Sequence, residues 1–210
     1  MRVLAAFLIN TLFNFVIGLL VALYLGPDQF GRFALAMAVG MVVQTIAFEW
    51  IRLAAIRFYS ERSRAERPEL RATLDVAFAS VSLVLAAVAI MFILGGLTFS
   101  LSHTLLALAF TAAIANGLFD YNTALVRARF QDRLYARLVL TKNVMALLLT
   151  VGGAFIFQSA VMTLAGACVS MAGSVVFARS ALHDEAARPS LARRSLALEF
   201  AAYSLSLIHI

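Results

Sequence analysis

The chain has 210 residues, of which 63% are apolar and only 13% charged, and its mean hydropathy is +0.93. Ordinary globular proteins carry about 25% charged residues, so too little charge is present to cover a soluble surface, which excludes a soluble enzyme, a secreted disulfide scaffold and a disordered chain. The formal charge of +6 would point to nucleic acid in a soluble protein; here it has to be read connection by connection.

From Val3 to Leu25 no charge occurs, a length that crosses a bilayer core of roughly 30 Å as one helix. It exceeds a signal-peptide core, and no small-residue cleavage site follows. Gly26-Pro27-Asp28 breaks the helix, because Gly and Pro at this spacing are turn residues. The next apolar run, 30–57, has an uncharged core that is too short to span alone, so its helix carries Glu49 and Arg52 into the inner leaflet. Val76 to Phe119 holds no Asp, Glu, Lys or Arg; as one helix it would reach about 66 Å, so it folds back, with Gly95-Gly96 and Ser100-Leu101-Ser102 marking the turn. Asn143 to Ala178 is also uncharged and would reach about 54 Å, with its turn at Gln158-Ser159.

The expected fold is all-α: a polytopic membrane lobe over 1–178 with spans at 3–25, 30–57, 74–97, 101–126, 138–157 and 160–178. A cytoplasmic connection follows at 179–195 and the start of a seventh helix at 196–204. Basic residues test this independently, since Lys and Arg collect in short cytoplasmic loops. Arg2, then Arg57, Arg62, Arg64, Arg67 and Arg71, then Arg127, Arg129, Arg133, Arg137 and Lys142, then Arg179, Arg188, Arg193 and Arg194 all fall on one side, fifteen of 17. Arg32 and Arg52 are the exceptions. The amino terminus is expected in the cytoplasm, the basic loops set orientation, and no nucleic-acid partner is implied. The last six residues, Leu205 to Ile210, match a translation of CTG TCT CTT ATA CAC ATC, a transposon end used in preparing sequencing libraries. They are read as an adapter artefact that cuts the frame inside its seventh span, leaving His209 without functional weight.

Polar residues inside a membrane mark pathways or helix contacts. Asn10, Asn14 and Gly18 recur at i, i+4 and i+8 and form one stripe, either a packing face or the lining of a cavity for polar cargo. Gln44 lies near the middle of the second span. Glu49 and Arg52 are three apart on one helix side: either a local ion pair that snorkels to water, or an arginine that meets phosphate through its fork of donors beside a carboxylate that orients it. Asn116, Asp120, Thr123 and Arg127 share a face of the fourth span. Asp120 needs a partner, with Arg127 and Arg52 as candidates, or it is a cavity carboxylate. His183-Asp184-Glu185 has no second ligand cluster to make a metal site, His103 sits at an outer turn, and Cys168, the sole cysteine, lies in a helix with no base near it. Trp50 is an interface anchor, and Gly152-Gly153 permits close helix contact or a bend. No phosphate-cradling Gly-Lys motif or nucleophile elbow is present; an enzyme is not expected.

The turn Leu25-Gly26-Pro27-Asp28-Gln29-Phe30-Gly31, followed by Phe33-Ala34-Leu35, resembles the connection between the first two helices of bacterial polysaccharide flippases. These belong to the multidrug, oligosaccharidyl-lipid and polysaccharide exporter superfamily. A weaker likeness is Leu125-Val126-Arg127-Ala128-Arg129 through Tyr135-Ala136. Gln29 and Phe33 stand where Glu and Tyr are more usual, and Glu49-Trp50 where many relatives have Asp-Leu-Gly. The resemblance implies one lobe of a two-lobed transporter of 12 to 14 helices, with the carboxyl-terminal lobe missing. Its substrate would be an undecaprenyl-pyrophosphate-linked sugar, carried across the bacterial inner membrane through a cavity between lobes. On that reading Arg52 contacts phosphates, Asn14, Gln44 and Asn116 bond sugar hydroxyls, and Glu49 or Asp120 pairs charge or couples to protons or sodium; no cofactor is needed. The alternatives are a cation-coupled multidrug exporter of the same superfamily, a membrane-embedded polysaccharide polymerase or ligase, for which the outward loops are short, and a non-transporting scaffold subunit.

Overall fold

The computed structural model describes the backbone of residues 2–95 and 101–208 and the side chains of 7–95 and 101–204. Within these residues the chain is helical, with no strand. In order come α1 (Arg2–Phe58), α2 (Glu61–Glu66), α3 (Pro68–Leu94), α4 (His103–Ala128), α5 (Asp132–Ala146), a π-helical turn at Leu147–Val151, α6 (Gly152–Phe157), α7 (Ala160–Phe177), α8 (Arg179–Leu182), a 3₁₀ turn at Pro189–Leu191, and α9 (Arg194–Ile208). Five stretches are long and apolar enough to cross a bilayer: Phe7–Phe58, Pro68–Leu94, His103–Ala128, Asp132–Phe157 and Ala160–Phe177. That is the pattern of a multi-pass membrane protein. Large apolar side chains such as Phe15, Leu23, Leu83 and Leu94 stand exposed at 68%, 70%, 72% and 80%, which suits hydrocarbon and would aggregate in water.

α1 is two arms. Gly26 has φ +70 and ψ 170, outside the helical region, and Pro27 follows it; a backbone at positive φ suits glycine, and proline is favoured at a helix's first position. Phe7 and Ile56 line the same cavity, although a straight helix would hold them about 74 Å apart. The arms 2–25 and 27–58 therefore lie back against each other, with the break at the turn the sequence marks.

Helix directions alternate. Asn10 and Asn14 meet Lys142, and Val21 and Leu25 pack on Val151 and Ala154, so arm 2–25 runs parallel to α5–α6. Gly40 abuts Ala109 and Gly117 abuts Phe48, so arm 27–58 runs parallel to α4. Gly153 abuts Met162 and Gly166 abuts Leu149, so α7 runs opposite to α5–α6, with Cys168 against the Leu108 carbonyl of α4. α3 runs the other way, because Phe78 stacks on Tyr121 while Phe92 meets Phe110.

Small residues on α4 let these helices approach. Ala109, Ala112, Ala113 and Ala115 are all buried, and van der Waals contact between close backbones drives helix association in lipid. A Cβ on Gly40 would stand 2.8 Å from the Ala109 carbonyl oxygen, and one on Gly153 2.9 Å from that of Met162. Gly153 is thus a close-contact residue, whereas Gly152 faces open space.

The turn at Gln158-Ser159 falls where expected, with Gln158 left-handed at φ 46 and ψ 39. α3 ends at its cap Gly95 and α4 starts with the Ser102 side chain accepting from the Leu105 N–H; the expected turn residues Gly96 and Ser100 lie outside the described residues. Where spans were expected at 74–97, 101–126, 138–157 and 160–178, the helical stretches run Pro68–Leu94, His103–Ala128, Asp132–Phe157 and Ala160–Phe177. α9 begins two residues before Leu196, buries Phe200 against Phe58, and is tied by the Ser204 hydroxyl donating to the Trp50 carbonyl at 3.2 Å. The side chains of Leu205 to Ile210 lie outside the described residues.

The basic connections gather at one end of the bundle. Arg129 donates to Glu61 at 2.6 Å, joining the connection after α4 to α2. Arg64 donates to Asp184 at 3.0 Å, and Tyr59 OH to the same carboxylate at 3.3 Å. α2 itself is held by a capping box between Ser60 and Ser63, which satisfies two backbone donors reciprocally.

Candidate functional site

A cavity of about 920 Å³ opens among α1, α4, α5 and α7. Its mouth lies at the basic end, where Arg57, Ser60, Arg127 and Tyr135 line it, and it reaches inward to Asn14, Gln44 and Met171. From Ile56 to Gln44 along arm 27–58 this is a depth of about 18 Å. The opposite end is closed by packing: Val21, Leu25, Val151 and Ala154 form one buried cluster, and Ala36, Leu105, Ala109, Ala160 and Leu164 another.

All six candidate residues, Asn14, Gln44, Glu49, Arg52, Asn116 and Asp120, line this one cavity. They come from two arms of α1 and from α4, brought together by the turn at Gly26 and by the contacts of Gly40 with Ala109 of α4 and of Gly117 with Phe48 of α1. Their partners differ from those the sequence offered. Asp120 accepts a hydrogen bond from Gln44 Nε2 at 3.0 Å; among the described residues neither Arg127 nor Arg52 forms an ion pair with it. The reason is Arg52's commitment elsewhere. Its Nε donates to Glu49 Oε2 at 2.8 Å and a terminal nitrogen donates to Glu49 Oε1. The local i, i+3 pair uses the guanidinium fork that a phosphate would need. Arg127 instead lies over the Tyr135 ring at 5.8 Å, and Arg57 over Tyr203 at 6.0 Å.

The Asn10–Asn14–Gly18 stripe divides. Asn10 and Asn14 face the cavity, while a Cβ on Gly18 would meet nothing within 4 Å, so this face is not a close helix contact.

Lys142 was counted with the basic connection after the fourth span although the expected span 138–157 includes it; the structure places it in the span and not in the connection. It sits in α5, only 6% exposed, because α5 starts at Asp132 and carries it into the bundle. Its Nζ donates to Asn10 Oδ1 at 2.9 Å and to Asn14 Oδ1 at 3.2 Å and lies 5.8 Å from the centre of the Phe119 ring. Its signal in the sequence is helical register. Lys142 is three and four residues on from Val139 and Leu138 and four before Ala146, all buried, so it shares their inward face.

The charged lining is then Glu49 and Asp120 against Arg52, Arg57, Arg127 and Lys142, two acids and four bases. With Arg52 and Glu49 neutralising each other, the lining cations without a paired carboxylate among the described residues are Lys142 inside and Arg57 and Arg127 at the mouth. Such a lining can hold a polar, anion-bearing molecule away from hydrocarbon. Compared with protein-family models, curated proteins and solved structures, the chain matches none.

Proposed function

We propose that the chain is a six-crossing lobe of a transporter that carries a lipid-linked oligosaccharide across the bacterial inner membrane. The two arms of α1 count as separate crossings, and the basic end with the amino terminus faces the cytoplasm, by the rule that Lys and Arg stay inside. The observation that carries this reading is the cavity itself. A charged, hydrogen-bonding compartment within apolar helices is costly, and transporters place such compartments where polar cargo crosses. The resemblance of the Leu25–Gly31 sequence to the first connection of polysaccharide flippases supports the reading. Phosphates, which remain near headgroup depth while the lipid tail stays in the bilayer, fit Arg57 and Arg127 at the mouth better than Arg52; Gln44 and Asn116 suit sugar hydroxyls.

A cation-coupled drug exporter would use Asp120, a carboxylate held by a neutral amide. The excess of bases in the lining favours anionic cargo over the cations such exporters carry. Native mass spectrometry of the 210-residue chain with undecaprenyl-pyrophosphate-linked sugar and with undecaprenol tests the proposal. Retention of the charged lipid and release of the alcohol is expected; equal retention, or none of either, contradicts it.

A further inference from the structure

Within that cavity, hydrogen-bond polarity is sorted by wall. Lys142 is an ammonium with three donors and no acceptor, so Asn10 and Asn14 must turn their carbonyl oxygens to it. Their amide nitrogens are left as donors. Each oxygen keeps one lone pair free, but the remaining N–H groups outnumber them, so Lys142, Asn10 and Asn14 together present mainly donors around a buried positive charge. On the other wall, Asp120 accepts from Gln44 Nε2, which leaves Gln44 Oε1 and the second carboxylate oxygen as acceptors. Among the described residues no carboxylate lies within ion-pair distance of Lys142.

A buried cation solvated by neutral amides is complete only when an anion joins it. We infer that Lys142, Asn10 and Asn14 form a binding site for an acidic group carried on a sugar, a phosphate or a carboxylate, whose neighbouring hydroxyls donate to Gln44 and Asp120. The donor wall suits an acceptor-rich anion and the acceptor wall suits hydroxyls, so the two together select an acidic carbohydrate over a neutral one. Asn10 and Asn14 lie one and two helical turns deeper than Phe7 at the mouth, roughly 5 to 10 Å. The anion recognised here is therefore separate from one held by Arg57 and Arg127. This site rests on the transport reading and adds to it the charge of the sugar head.

Titration calorimetry of the 210-residue chain in detergent micelles with glucose, glucose 1-phosphate and glucuronate tests the assignment. At least one of the two acids is expected to bind about tenfold more tightly than glucose, as charge-assisted hydrogen bonds require. The acid that does so identifies phosphate or carboxylate as the group. Lys142→Met removes the ammonium. Asn14→Asp supplies a resident counter-charge and keeps the lysine solvated, so it serves where the first variant does not fold. Either variant is expected to bring the acids down to the level of glucose. Equal affinity of all three sugars in the native chain, or an acid preference that survives both variants, overturns the site. Should the acids and glucose bind alike while the pyrophosphate-linked lipid is retained, this inference falls and the transport reading stands. If neither the sugars nor that lipid bind, both fall.

Discussion

The two ends of the bundle are built from different materials. At the closed end, glycine and alanine bring backbones together: Gly166 sits on the Leu149 carbonyl, Gly153 on that of Met162, and Gly40 on that of Ala109. At the basic end the helices part, and long polar side chains occupy the space, with Lys142 reaching Asn10 and Asn14 and Gln44 reaching Asp120. Close backbone contact needs no side-chain partner, whereas a polar group in a membrane needs one. One end is therefore held by shape and the other by hydrogen bonds and charge. Substitutions should separate the two.

The largest effect is expected at Gly166. A Cβ there would collide with the Leu149 carbonyl and the adjoining peptide, where neither backbone can move alone. Gly166→Val should destabilise the chain by on the order of 3 kcal/mol, read as a fall in the thermal midpoint of the detergent-solubilised protein. Next is Gln44→Leu, which strips Asp120 of its donor; a loss of about 2 kcal/mol is expected, and Asp120→Asn in the same chain should recover part of it. A recovery shows that the unpaired carboxylate, and not lost packing, was the cause.

A smaller effect belongs to the tether between Arg129 and Glu61. Hydrogen bonding from Arg129 holds the Glu61 carboxyl below its usual range. Its contribution is present above the free carboxyl value of about 4.3 and is lost as pH falls through the lowered folded value. The carboxylate is over half exposed, so salt screens the pair and the gain in stability is slight. Spin labels on Arg62→Cys and Asp132→Cys should report a distance that broadens in acid and in high salt, and is unchanged between pH 6 and 8. The smallest effect is expected at Gly18, where a side chain meets nothing. Gly18→Leu should alter stability by less than about 0.5 kcal/mol; a larger loss would make that face a packing surface after all.

Much of this was legible in the sequence. Gly26-Pro27 and Gln158-Ser159 carry their breaks in residue type, since positive φ, a missing N–H and polar residues between apolar runs are local properties. The convergence of Asn14, Gln44, Glu49, Arg52, Asn116 and Asp120 followed from placing polar residues at span depth. Partner choice was not legible. Asp120 could be given an arginine by charge, but which helix faces it depends on how closely Gly117 lets Phe48 approach, a tertiary matter. Lys142 was hidden because a basic residue five after Arg137 continues a loop-like charge run; only its register with Leu138, Val139 and Ala146 separates it from that run. The polar stripe at Asn10, Asn14 and Gly18 shows the same limit, because i, i+4 spacing fixes a shared face and not what that face meets.

Access to the cavity from one side of the membrane is the claim on which the rest depends. With Cys168, the sole cysteine, replaced by serine, Asn14→Cys is exposed to a membrane-impermeant thiol reagent in inside-out and right-side-out vesicles. Labelling is predicted from the cytoplasmic face alone, and it should be slowed by the lipid-linked sugar. Labelling from the outer face alone, or none from either, would contradict a water-filled cavity open at the basic end.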